Sequence, residues 1–352
     1  MSTVKLRAGN LARSWFYLGS FFRVVGMVLC LASPDKAHAN AAPLTHPDGF
    51  KMGIATHFAQ GQGRPPTHIP LMAKNGWLAL RDEAFWSHTE RTLGVFVMPE
   101  LVQAALVSAK SSGVSTLLLL GYGHPIHTQG AKPTTREQRA AFTRYATFVA
   151  ERTRHLVDTI EVWNEWDIDI GGGAAGRPED YIALLREAVP AIRLAAPGIK
   201  IIGGSATPEG VDRGYLRQLI SMGLLDLVDG ISVHPYVWSR TKSTPNDAAD
   251  WVQKLLLYTR GKPLHVTEIG WPTHKALSLR SAGVSEQSQR DYVCATVQLL
   301  QAVPTVKSVY FYGLLDVGSD DRNPEHRFGL IRQNGEPRPA FAVNACKPLT
   351  PG

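Results

Sequence analysis

Asn164-Glu165 and Thr267-Glu268 are the pairs in this sequence best placed to do chemistry. Each glutamate stands where an apolar, β-branched run stops: 159–163 leads into Asn164-Glu165, and 264–267 leads into Glu268. Runs of this kind read as buried strands of a parallel α/β sheet, whose carboxyl ends collect catalytic groups. Two carboxylic acids delivered in this way suit cleavage of a glycosidic bond. One attacks as a carboxylate and the other protonates the departing oxygen. The plain alternative, a pair of rim salt bridges, explains less, because it gives no reason for both acids to end strands.

The elements that must position these acids follow from the same patterning. Apolar runs at 53–58, 77–81, 116–121, 159–163, 200–204, 230–233, 264–267 and 308–312 predict strands. Helical periodicity predicts helices near 98–112, 136–155, 178–195, 213–226, 247–259 and 286–302, with shorter ones near 65–75 and 338–346. Pro178-Glu179-Asp180 reads as a helix first turn, and Ala196-Pro197-Gly198 as a stop. Eight such alternations imply a single closed (β/α)₈ TIM barrel with its site at the carboxyl ends of the strands. At those ends the sequence collects His57, Arg81-Asp82-Glu83, Trp86, His124, His127, Asn164, Glu165, Trp166, Ser205, His234, Tyr236, Trp238, Glu268, Trp271, Tyr312 and Asp316. Polar groups and aromatics around one mouth suit a sugar, which offers hydroxyls at its edge and C–H faces to rings. Trp86, Trp166, Trp238 and Trp271 are the candidate stacking platforms, set against ordinary packing. His124 is a candidate for sugar hydrogen bonding, set against loop packing.

The length of 352 residues suits one large domain. Residues 1–39 stand apart as a signal peptide: Lys5, Arg7, Arg13 and Arg23, the apolar run 24–32, then Ala37-His38-Ala39 as a small-x-small cleavage site. An uncleaved anchor is the alternative, although Arg23 interrupts the apolar stretch. Residues 40–352 are then the catalytic domain, and the chain is expected to be secreted or periplasmic, without stable membrane insertion after cleavage. Without the leader the formal charge falls from +7 to +3, with 32 basic residues against 29 acidic ones. A nucleic-acid partner is not indicated. Cys294 and Cys346 remain, either as a pair in an oxidising compartment or as two buried thiols.

Together these residues resemble the superfamily of retaining glycoside hydrolases whose acid/base glutamate follows strand four and whose nucleophile follows strand seven. Asn164-Glu165 matches the strand-four pair, Glu268 within TEIGW the strand-seven nucleophile, Arg81 the strand-two arginine and His234-x-Tyr236 the strand-six pair. Phe328-Gly329-Leu330 and Pro337-Arg338-Pro339-Ala340-Phe341 are similar to the end of the barrel in the family of β-xylosidases, α-L-iduronidases and bacterial exopolysaccharide endoglycosidases. Trp166-Asp167 stands where relatives usually carry Pro-Asn. Phe311 and Tyr312 replace a tryptophan found under the sugar in many of them.

The resemblance implies a poly- or oligosaccharide substrate, hydrolysis through a covalent glycosyl-enzyme, and no cofactor. Glu268 is then the nucleophile, kept ionised by Arg81 with Tyr236 as a hydrogen-bond donor, and Glu165 is the acid that later serves as base. Asn164 holds a sugar hydroxyl, with Arg81, His234, Tyr236 and Tyr312 around it. On this reading Arg81→Ala lowers activity with little loss of fold. His124 and His127 lack further ligands at metal spacing, so no metal is expected. The run 171–176 satisfies G-x-G-x-x-G, but residues 167–170 separate it from the strand and no acid ends the next strand, which argues against a dinucleotide. A catalytically silent glycan-binding barrel is the other alternative.

Overall fold

Eight short runs rich in Val, Ile, Leu and Ala form the strands of a closed parallel barrel in sequential order, with the eighth returning to the first. They are β1 (Lys51–Ala55), β2 (Ala79–Phe85), β3 (Ser115–Gly121), β4 (Thr159–Val162), β5 (Lys200–Ala206), β6 (Gly230–Val233), β7 (Leu264–Ile269) and β8 (Val306–Tyr312). The structure, a computed structural model, describes residues 49–169, 173–237, 243–275 and 283–346. All of these fall in one compact unit, Pro43–Gly352. The amino-terminal basic and apolar segment with its cleavage site lies outside the described residues, as does Trp238. Among the described residues, no helix is long and apolar enough to cross a membrane.

The main helices, Pro65–Lys74, Glu100–Ser111, Arg136–Thr153, Pro178–Ala195, Pro245–Thr259 and Glu286–Gln301, lie close to the predicted spans. Their starts carry the expected chemistry: Thr135 with Gln138 and Thr244 with Asp247 cap reciprocally, so backbone N–H groups at each terminus find side-chain acceptors. Three expectations are corrected. The helix expected over 213–226 is three short ones, Pro208–Asp212, Tyr215–Ser221 and Leu224–Leu227. Gly214 and Gly223 separate them with φ of 84° and 97°, a left-handed geometry that ends a helix. The tail expected as a helix near 338–346 is two 3₁₀ turns, Pro339–Phe341 and Val343–Ala345. Strand two does not stop at Arg81 but runs on through Asp82 and Glu83 to Phe85.

That extension is possible because each charge in it is compensated. Arg81 pairs with Glu161, and Asp82 accepts from the Phe58, Ala59 and Glu83 N–H groups and the Thr56 hydroxyl. Burial nonetheless pushes Asp82 up to about 6. Ala79, Leu117, Ile202 and Tyr310 form a small apolar cluster separate from the large one, as an inner barrel layer would. Side chains alternate along a strand, so Arg81 and Glu83 share Ala79's inner face on β2, as Glu161 shares that of Thr159 on β4. The barrel interior thus passes from apolar to charged toward its carboxyl end.

Cys294, on the helix Glu286–Gln301, is disulfide-bonded to Cys346 after the final 3₁₀ turn, with Cα atoms 5.4 Å apart. The bridge spans 52 residues and ties the carboxyl-terminal segment to the barrel wall. Restricting a loop of that length in the unfolded chain stabilises the fold by about 4 kcal/mol on the chain-entropy account. Reduction is expected to lower the urea midpoint accordingly, read by fluorescence-monitored unfolding with and without dithiothreitol. An unchanged midpoint would show that the bridge adds nothing to stability.

Candidate active site

A cavity of about 860 Å³ opens at the carboxyl ends of the strands, and its wall includes His57, Glu83, Tyr122, Asn164, Glu165, His234, Tyr236, Glu268, Tyr312 and Phe328. Beyond β4 the backbone leaves the regular strand: Trp163 and Glu165 have φ of 69° and 44°, and Ser205, in the irregular part of β5, has φ of 40°. Left-handed geometry at a non-glycine residue costs about 1–3 kcal/mol and persists only where the surroundings enforce it. Here the Trp163 indole is fully buried against Phe142 and Trp166, and the Glu165 N–H donates to Ser205 Oγ at 3.0 Å. The turn aims Glu165 into the cavity.

Glu268, with 13% of its side chain exposed, accepts from Arg81 Nη1 at 2.6 Å. Tyr236 Oη lies 3.5 Å from its other oxygen. Burial alone would raise its pKa, but the charges of His234, Arg81 and His57 and the Arg81 hydrogen bond outweigh burial and hold the carboxyl below its ordinary range. Arg81 is itself 2% exposed and bonds through all three nitrogens: besides Nη1 on Glu268, Nε donates to Glu161 at 2.7 Å and Nη2 to Asn164 Oδ1 at 2.7 Å. Asn164, at the same β4 end, is therefore held with its amide toward the cavity wall.

Glu165 Oε1 lies 2.8 Å from His234 Nδ1. Burial lowers the His234 pKa, but the Glu268 charge and the hydrogen bond and charge of Glu165 raise it further, so it ends above the ordinary value. An oxygen of Glu165, an oxygen of Glu268 and a His234 nitrogen all lie within 4.8 Å of one another. That set has metal-ligand proximity, but the hydrogen bond between His234 and Glu165 and the Arg81–Glu268 ion pair already account for it. The carboxyl separation is the quantity that matters: about 5–5.5 Å leaves room for direct attack by one acid, whereas about 6.5–9.5 Å leaves room for a water. One oxygen of Glu165 and one of Glu268 approach within 4.8 Å of each other, which is compatible with the first arrangement.

On the β2 side of the cavity Glu83 is met by Gln60 Nε2 at 2.9 Å, Tyr122 Oη at 3.4 Å and His57 Nδ1 at 3.5 Å. Tyr312 stands edge-on to His57 and Phe328. Gln60, Tyr122 and Phe328 join the wall without having been singled out for it. Nothing in the local sequence of Gln60 or Tyr122 distinguishes them from packing residues, and Phe328 is marked in the sequence only through the Phe328-Gly329-Leu330 motif. Glu161 also supports the site, through Arg81, and the signal for it in the sequence is a lone acid inside an apolar strand on the inward parity.

Four proposed sugar contacts are corrected. Trp86 is fully buried, donates to Glu90 at 2.7 Å and stacks on His127 and Tyr145. Trp166 is fully buried and donates to the Arg177 carbonyl at 3.0 Å. Trp271, 4% exposed, donates to the Ser243 carbonyl at 2.9 Å and packs edge-on to Tyr292. His124, 2% exposed, caps the turn Pro125–Thr128 with Nδ1 and places Nε2 2.8 Å from the Glu90 carbonyl. None of the four lines the cavity. All four rings are buried, which leaves no face for a sugar, and their ring nitrogens are engaged by the scaffold. Asp316 likewise belongs to the frame, paired with Arg338 and Arg327. Of the glycine run, Gly176 lies against the Trp166 indole and its N–H donates to the Trp166 carbonyl at 2.7 Å. That glycine serves close packing and not a phosphate.

No family model matches the sequence, and no curated protein does. Solved structures do share the fold. One is a family 39 glycoside hydrolase from Bacteroides cellulosilyticus, with a TM-score of 0.69 and 22% identity over 85% of this chain. The chain spans 64% of the length of that structure. A GH5_18 protein from Streptomyces cattleya in complex with GlcNAc has a TM-score of 0.67 and 17% identity, covering 86% of this chain and 81% of its own. A xylanase from Paenibacillus barcinonensis in complex with a conduramine derivative has a TM-score of 0.62 and 16% identity, covering 84% of this chain and 95% of its own. At these identities the likeness establishes the (β/α)₈ fold.

Proposed function

We propose that this chain is a secreted retaining glycoside hydrolase that cleaves β-linked sugars of an oligo- or polysaccharide by double displacement. The observation that carries the reading is the approach of Glu165 and Glu268 across one cavity wall, with Glu268 held ionised by Arg81. Glu268 attacks the anomeric carbon while Glu165 protonates the departing oxygen. Water, deprotonated by Glu165, then releases the sugar with its configuration retained. Asn164, Tyr236 and Tyr312 stand where they can meet ring hydroxyls, and the amino-terminal leader and the Cys294–Cys346 bridge support export. Proton NMR of the first anomer released from an aryl β-glycoside tests this: a β-product is expected, an α-product would refute retention, and binding without turnover would make the barrel a glycan-binding protein.

The cavity also selects by charge. Glu83, Glu165, Asp169, Glu209, Glu268 and Glu325 line it, and no lysine or arginine does among the described residues. A uronate carboxyl would enter a wall of like charge, so neutral sugars are favoured. An aryl glucuronide is expected to show kcat/KM at least about tenfold below the matched glucoside at low salt, the gap narrowing as salt screens the wall. Equal rates, or a gap insensitive to salt, would show that wall charge does not set specificity.

A further inference from the structure

Beneath the cavity the two glutamates are joined by a chain of hydrogen bonds that double displacement by itself does not require. Arg81 bridges Glu268 and Glu161 Oε2. Thr267 Oγ1 donates to Glu161 Oε1 at 3.0 Å and lies 3.0 Å from His234 Nε2, while His234 Nδ1 faces Glu165 Oε1 at 2.8 Å. Glu161, Thr267 and His234 are fully buried.

Counting protons along this chain assigns the histidine. A threonine hydroxyl has one proton to give. Glu161 Oε1 has no other donor among the described residues, and a buried carboxylate oxygen without one is costly, so the Thr267 proton goes there. Thr267 Oγ1 can then only accept from His234. Ser205 Oγ, 3.3 Å from the same nitrogen, accepts the Glu165 N–H and offers a second acceptor. Nε2 therefore carries a hydrogen, and the neutral ring turns the Nδ1 lone pair toward Glu165.

We propose that Glu161, acting through Thr267, is a positioning residue that locks His234 as the Nε2–H tautomer, so that Glu165 and His234 hold one exchangeable proton between them. The inference rests on the glycosidase reading. With both partners unprotonated, a lone pair and a carboxylate would face each other at 2.8 Å, so the pair keeps its proton to higher pH. In the other tautomer Nδ1–H would donate to Glu165 and hold it as a carboxylate, unable to protonate a leaving group. The other charges acting on His234 are Glu268, 4.0 Å away, and Arg81. In glycosylation the pair's proton goes to the departing oxygen as the Glu268–sugar bond forms and the glycosidic bond breaks. In deglycosylation water bonds the anomeric carbon as the Glu268–sugar bond breaks, and it returns a proton to the pair.

Thr267→Val removes the relay at similar volume, and Thr267→Ser restores the hydroxyl. Long-range ¹⁵N–¹H spectra of histidine-labelled protein should show His234 as Nε2–H in the parent and shifted toward Nδ1–H in Thr267→Val. The basic limb of kcat/KM should move toward acid by about one pH unit in Thr267→Val. At pH 7 the loss should be at least about tenfold for a glycoside with a poor leaving group and under about threefold for one that departs without protonation, with Thr267→Ser near the parent. An unmoved limb, an equal loss on both substrates, or an Nδ1–H tautomer in the parent overturns the lock. If the parent cleaves no glycoside at all, the functional reading fails separately, and the spectra alone decide the tautomer.

Discussion

Glu268→Ala is expected to lower turnover of every glycoside by at least about 10⁴-fold, because no covalent intermediate can form. Azide added to this variant should restore activity by occupying the vacated side of the sugar, giving a glycosyl azide of inverted configuration. Glu165→Ala should differ in kind. A substrate whose leaving group needs no proton still glycosylates Glu268, the intermediate accumulates, and azide entering where Glu165 stood yields a retained β-azide. NMR of the azide products from an activated aryl glycoside reads the comparison, and swapped stereochemistry would exchange the two roles. The acid limb of the parent kcat/KM follows from the same site. A carboxyl held below its ordinary range stays ionised as pH falls through that range, so the limb should lie below it. Full activity in either alanine variant would remove that residue from the chemistry.

The second large effect is on folding. Arg81→Ala is expected to destabilise the protein by about 3–5 kcal/mol as well as to abolish activity, because Glu161, fully buried, would be left as an unpaired charge inside the barrel. This corrects the sequence-based expectation of an intact fold, which counted only the Glu268 partner. Replacing both members, Arg81→Met with Glu161→Met, should recover much of the stability, since the buried charge leaves with its partner, while activity stays absent because Glu268 and Asn164 still lack the guanidinium. Urea unfolding of the three proteins checks this. A single variant as stable as the parent would place Arg81 outside the structural frame.

The strand-end glutamates were legible because they end runs whose apolar, β-branched character is local and unmistakable. Helices such as Pro178–Ala195 announced themselves through a proline and acids in the first turn. Charge in a strand was the weak point. Arg81-Asp82-Glu83 reads as a loop until one knows that Glu161, eighty residues away, neutralises Arg81 and that four donors surround Asp82. The tryptophans failed for a related reason. An indole near a strand end serves either a sugar or the scaffold, and the choice lies with whether packing buries its face: Trp86, Trp166 and Trp271 are buried, with their N–H groups on Glu90, the Arg177 carbonyl and the Ser243 carbonyl.

By itself, then, the sequence determined the alternation of eight strands and helices, the barrel that follows from it, and the two acids at its mouth, since each rests on periodicity and termination within a few residues. Only the tertiary structure decided that Cys294 and Cys346 pair, which aromatics are spent on packing, and how Arg81, Glu161, Thr267 and His234 connect the acids from below. The last of these are contacts between strands far apart in the chain. Closing the barrel brings their inward faces together, and no local pattern encodes which inward residues will meet.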